Sequence, residues 1–180
     1  MRDWKSSYEE NNYGHLFYSL VRIHRPEKIV ELGTKAGYSA YHMAIGLRDN
    51  HFGTLDCYDL WEKYPYHSCP LAEAIDNLEE FKDIVKLSRL DAKFVEKMYD
   101  SINLLHIDLS NDGNILEEIL IPWINKAKLI ILEGGSKERD NVEWMKKHNK
   151  KPIKEWLKEQ DFDYFTIEPF PSITLIRGRG

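Results

Sequence analysis

The sequence predicts an α/β protein with a doubly wound, mostly parallel sheet, and three observations carry that expectation. Short β-branched runs alternate with stretches of helical periodicity through most of the chain. Gly33 and Gly37 turn the first of these runs directly into a helical stretch. The last two apolar runs, FDYFTIE and SITLIRG, are joined only by Pro-Phe-Pro. That join is too short for a crossover, so the final pair is antiparallel.

Taken in order, residues 1–12 read as a loose polar leader. Tyr13, Leu16, Phe17, Leu20, Val21 and His24 trace a helical stripe that Pro26 stops. Lys28 to Leu32 is the first strand, and Tyr38 to Leu47 a helix closed by Arg48-Asp49-Asn50. The run TLDCYDL is a second strand ending near Asp59. After the aromatic turn WEKYPYHSCP, a helix carries Leu71, Ala74, Ile75, Leu78 and Phe81 on one face. Ile84 to Leu87 is a short strand, Asp91 to Met98 a short helix, and Ile102 to Asp108 a buried strand. Ile115 to Leu120 is helical, Lys128 to Glu133 a fifth strand, and Ser136 to Asn149 a polar helical region. Pro152 suits the first position of a further helix bearing Ile153, Trp156 and Leu157. The expected sheet therefore has seven strands, and ligands belong at the carboxyl ends of the parallel ones.

Bulk properties set the limits. The 180 residues are expected to form a single domain, with residues 1–27 a leader and helix and residues 28–180 the core. A composition of 42% hydrophobic and 31% charged residues excludes disorder. The net charge of -5, with no basic stripe, argues against a nucleic-acid partner. Cys57 and Cys69 suit neither a disulfide framework nor a zinc motif. The polar start MRDWKSSYEENN offers no signal or membrane segment, so no membrane partner and a cytoplasmic location are expected.

Chemistry concentrates in three places. The first is IVELGTKAGYS, Ile29 to Ser39, a strand turning through glycines into a helix, which presents backbone N–H groups to a ligand. A dinucleotide fingerprint would need Gly-x-Gly-x-x-Gly, and a P-loop would need a glycine where Lys28 stands. Glu31 just before Gly33 disfavours phosphate and favours an ammonium or sulfonium charge. The second is Asp59, at a strand end where a carboxylate can accept the hydroxyls of a ribose. Leu60 or Trp61 would cover an adenine face, and Asp91 would accept the adenine amino hydrogens or cap a helix. The third is LLHID, where His106 and Asp108 share a strand face, with Glu133 one strand over. Asp108 and Glu133 are candidate ligands for Mg²⁺, which would lower the pKa of a substrate hydroxyl. A lone His106 reads first as a structural histidine.

IVELGTKAGYS, CYDLW and LLHIDLSNDG, in that order, resemble the class I S-adenosylmethionine-dependent methyltransferases. The nearest likeness is to the family 24 group of small-molecule O-methyltransferases, over about Lys28 to Glu133. The resemblance implies a Rossmann-like methyltransferase fold whose last strand is inserted antiparallel. It also implies S-adenosylmethionine as cofactor and a hydroxyl of a small molecule, a sugar or secondary metabolite, as acceptor. On the same basis Glu31 would sit near the methionine ammonium, with Gly33 and Gly37 around it, and Tyr38 and Ser39 near its carboxylate. Asp59 and Leu60 would lie at the ribose and adenine, and Asp108, with His106 and Glu133, would orient or deprotonate the acceptor. Tyr64, Tyr66, His67 and the residues before Tyr13 would select that acceptor, and the terminal hairpin edge leaves room for a homodimer. The chain departs from the family with Ser110 and Asn111 after LLHID and Gly134 after Glu133. Those departures keep a second function in view, a catalytically inactive binding or regulatory module on the same fold.

Overall fold

The computed structural model describes residue 4, residues 6–65 and residues 69–180. Its seven strands form one mixed sheet in the order β3-β2-β1-β4-β5-β7-β6. The chain divides into two compact units, Met1–Val95 and Glu96–Gly180.

In the first unit β1 (Lys28–Leu32), β2 (Thr54–Asp59) and β3 (Val85–Arg89) pair in parallel, Glu31 opposite Cys57 and Asp59 opposite Arg89. Ile29, Val30 and Leu32 are fully buried, each contributing roughly 1.5–3 kcal/mol by leaving water. Helix α1 (Gly14–His24) ends at Arg25, whose left-handed conformation returns its N–H to the Val21 carbonyl. Helix α2 (Tyr38–Asn50) packs on α1, and Val21 so crowds Gly46 that a Cβ there would lie 2.9 Å from it. Helix α3 (Leu71–Leu78) runs on into a 3-10 turn at Glu79–Phe81. It buries Ala74, Leu78 and Phe81 but leaves Ile75 45% exposed, so the stripe is narrower than the sequence suggests. The short α4 (Ala92–Val95) closes the unit.

The described part of the leader is not loose. Trp4 and Tyr8 are buried: Trp4 packs on Tyr38 and Tyr41, and Tyr8 on Tyr13, Phe17 and Tyr38 at 5.1–6.4 Å between ring centroids. The segment is polar on average, but its two large rings carry enough apolar surface to dock it.

In the second unit β4 (Ile102–Ile107) and β5 (Ala127–Glu133) are parallel. The strand β7 (Ile173–Arg177) pairs antiparallel with both β5 and β6 (Tyr164–Ile167), the inserted last strand the sequence predicts. Helix α5 (Gly113–Ile119) is capped by the buried Asp112. The polar stretch after β5 is two short helices, α6 (Lys137–Asp140) and α7 (Glu143–Lys147). Helix α8 (Ile153–Glu159) follows Pro152, which sits one place earlier than expected, at the cap. The Asp140 carboxylate accepts from the Ile153 and Lys154 N–H groups and does the capping from a distance. Among the described residues no helix is long and apolar enough to cross a membrane.

Candidate active site

The loop from Gly33 to Gly37 is held from several sides. Gly33 and Gly37 have φ of 87° and 92°, a region costly for any residue with a Cβ. The Gly33 N–H donates to the Tyr58 carbonyl at 2.8 Å, and the Gly37 N–H to Thr34. The side chain of Asn77 donates to the Ala36 carbonyl at 3.0 Å. Trp61, buried with a positive φ, donates its indole N–H to the Lys35 carbonyl at 3.0 Å.

Asp59 is the hub of that loop. One carboxylate oxygen accepts the N–H groups of Thr34 and Lys35, each at 2.8 Å, and the other accepts the Trp61 N–H at 2.7 Å. A carboxylate has about four acceptor positions, so three are already in use. Asp59 thus stands where the sequence places it and also shapes the loop, a second role that spacing does not reveal. Trp61 is drawn beneath the loop, which leaves Leu60 as the candidate to cover an adenine.

Glu31 is fully buried in β1 and accepts the Ser39 hydroxyl at 2.6 Å. The carboxylate is thereby held beside the N-terminus of α2, where the helix dipole favours negative charge. Ser39 therefore serves Glu31 directly. Tyr38 turns its ring into the aromatic cluster with Trp4, Tyr8 and His42, and its hydroxyl accepts the Gly14 N–H at 3.3 Å. Only its backbone stays with the glycine loop. Asp91 accepts the Lys93 N–H at 3.0 Å, the capping role foreseen for it. Burial and the Glu31 carboxylate push the Cys57 thiol up, so Cys57 is a neutral packing group.

In the second unit His106 is fully buried within β4. Burial of this kind suits the structural histidine that a lone His106 first suggests. Asp108 follows the end of β4 and is partly exposed. Glu133, at the end of β5, is buried, and its two oxygens accept from Nε and Nη2 of Arg139, the latter at 3.0 Å. Burial pushes the Glu133 carboxyl up to about 7 against the downward pull of Arg139. Asn111, a departure from the family pattern, donates its amide to the Ile107 and Glu133 carbonyls at 3.1 and 3.0 Å and so locks the ends of β4 and β5 together.

The expected Mg²⁺ does not fit these residues. Glu133 directs both of its oxygens at the Arg139 guanidinium. Roughly 4 Å from Arg139, a divalent ion would be repelled by about 8 kcal/mol at an effective dielectric of about 20. Among the described residues no group of three metal-ligating side chains comes together. Tyr64 is partly buried, whereas Tyr66 and His67 lie outside the described residues. An open recess of about 700 Å³ is lined by Lys137, Glu138, Asn141, Val142, Glu168 and Phe170, none of which the sequence singles out.

Comparison with solved structures finds the same fold repeatedly. The O-methyltransferase TomG of Streptomyces achromogenes, solved with SAM, is 15% identical with a TM-score of 0.71, over 97% of this chain and 86% of that one. The SAH-bound methyltransferase PaMTH1 of Podospora anserina is 18% identical with a TM-score of 0.64, over 93% and 78%. An O-methyltransferase of Bacillus cereus in complex with SAH is 18% identical with a TM-score of 0.63, over 92% and 80%. Comparison with curated proteins returns no match. The family model described as a methyltransferase domain matches residues 30–128, more than half of the chain, and takes in all three motifs except Ile29. With its ordered motifs, inserted last strand and matching family model, the chain belongs to the family 24 methyltransferases of class I.

Proposed function

We propose that this protein transfers a methyl group from S-adenosylmethionine to a hydroxyl of a small molecule, a sugar or secondary metabolite. The observation that carries the reading is the braced loop between Glu31 and Ser39. Its backbone is fixed before any ligand arrives, so little ordering entropy is spent on binding. Glu31, buried and aligned by Ser39, supplies the negative charge that a methionine ammonium requires. The start of α2, with the Tyr38 and Ser39 backbone, suits the methionine carboxylate. Asp59 keeps an acceptor position for a ribose hydroxyl, Leu60 covers the adenine, and Asp91 serves its amino group.

S-adenosylmethionine supplies an activated methyl, so the protein's task is alignment of the nucleophile with the sulfonium. Asp108, the partly exposed acid at the end of β4, is the residue to orient the acceptor hydroxyl and take its proton. The open recess carries a polar rim of Lys137, Glu138, Asn141 and Glu168, which suits a hydroxylated compound. Several solved relatives of the fold are described as O-methyltransferases, which supports oxygen as the methylated atom. The alternative, a binding module without turnover, draws on Glu133 and Asn111 being committed to internal contacts.

Transfer of labelled methyl from S-adenosylmethionine to a panel of hydroxylated small molecules tests the choice. The expected outcome is an acceptor whose methylation falls at least about 100-fold in Asp108→Asn. Cofactor binding with no transfer to any acceptor would establish the binding module instead.

A further inference from the structure

At the ends of β4 and β5 the second unit holds a buried polar network that the methyl-transfer scheme leaves unused. Arg139 is 8% exposed and Glu133 is 5% exposed. Arg139 grips both Glu133 oxygens, its Nη2 also reaches the Asn111 carbonyl at 3.4 Å, and its backbone N–H donates to the Ser136 hydroxyl at 3.1 Å. Asp108 and Asp140 add negative charge to the field around the pair, although Asp140 spends its oxygens on capping Ile153 and Lys154. Arg139 was not singled out in the sequence, because it lies in a polar helical stretch.

A divalent ion shared by Asp108 and Glu133 would serve this end of the sheet by placing fixed positive charge among those acids. Arg139 already does so, and it needs no dissociable ligand. An arginine whose only task was to neutralise Glu133 would be expected to have all its donors met by the chain. Here Nη1 is buried with no acceptor among the described residues. The cation therefore has donor capacity beyond its partner.

We propose that Arg139 is this protein's own fixed cation at the acceptor end, standing in place of a divalent metal, and that methyl transfer proceeds without one. Arg139 is a positioning residue: it holds Glu133 and balances the negative charge around Asp108. The proposal rests on the methyltransferase reading, but its first test does not require turnover.

The probe is manganese(II), followed by loss of the paramagnetic resonance signal of the free ion. The wild type should leave that signal intact into the millimolar range, and neither MgCl₂ nor EDTA should move its Tm. Arg139→Met keeps the bulk and removes the charge. Folded, as checked by circular dichroism, it should take up manganese at least about tenfold more tightly than the wild type, because the repulsion is gone. Arg139→Lys retains a charge and should remain free of the ion.

Wild-type manganese binding that disappears in Glu133→Gln overturns the proposal, and so does a folded Arg139→Met that gains no affinity. Methyl transfer abolished by EDTA and restored by Mg²⁺ overturns it as well. Failure to find any methyl transfer counts instead against the proposed function, since the manganese experiment reads binding alone.

Discussion

Glu133 illustrates how burial and pairing compete at a single carboxyl. Leaving water favours the protonated form, Arg139 favours the charged one, and burial wins by enough to bring the pKa to about 7. Its ordinary value is 4.5, so the folded state holds this proton more tightly than the unfolded chain does. The group's contribution to stability is therefore full below about pH 4.5 and is lost as pH rises through about 7. Glu133→Gln carries no titrating proton at that place. The Tm gap between wild type and Glu133→Gln should accordingly change between pH 8 and pH 5, with the wild type gaining on acidification. A gap independent of pH would show that Arg139 keeps Glu133 ionised throughout.

At the level of elements, short helices in this chain depend on side chains that cap them. Helix α5 has only seven residues, and Asp112 accepts the Asn114 and Ile115 N–H groups at 2.8 and 3.1 Å. Asp112 is fully buried and pairs with Lys150 at 3.0 Å. Asp112→Ala should cost about 2 kcal/mol in urea unfolding, while Asp112→Asn should recover the cap but not the ion pair. Equal losses in the two variants would assign the effect to Lys150 rather than to the cap.

Elements of this kind also show where the sequence is readable. Pro26 and Gly33 bracket β1, so Lys28 to Leu32 is legible from local chemistry alone. The start of α8 is not, because its cap comes from Asp140, thirteen residues upstream of Ile153. The site divides in the same way. Glu31, Gly33 and Gly37 are local and readable. The bracing of the loop by Asp59, Trp61 and Asn77 arises only when distant segments meet. Arg139 had a faint signal, an arginine six residues after a strand-end glutamate across a Gly-Gly-Ser turn. It becomes meaningful only once that turn folds the arginine back onto Glu133, with φ of 107° at Gly134 and 108° at Gly135.

Across the whole molecule, the two units carry different parts of the proposed chemistry. The first holds the braced glycine loop, Glu31 and Asp59. The second holds Asp108 and the Glu133–Arg139 pair. A methyltransferase requires the cofactor part before anything else, so the deciding measurement belongs there. Calorimetric titration of the purified protein with S-adenosylhomocysteine should give one-to-one binding in the micromolar range, about −8 kcal/mol. Asp59→Ala should lose that binding, since it removes both a ribose acceptor and the anchor of the loop. No heat from a well-folded wild type would contradict the cofactor site, and with it the proposed methyl transfer.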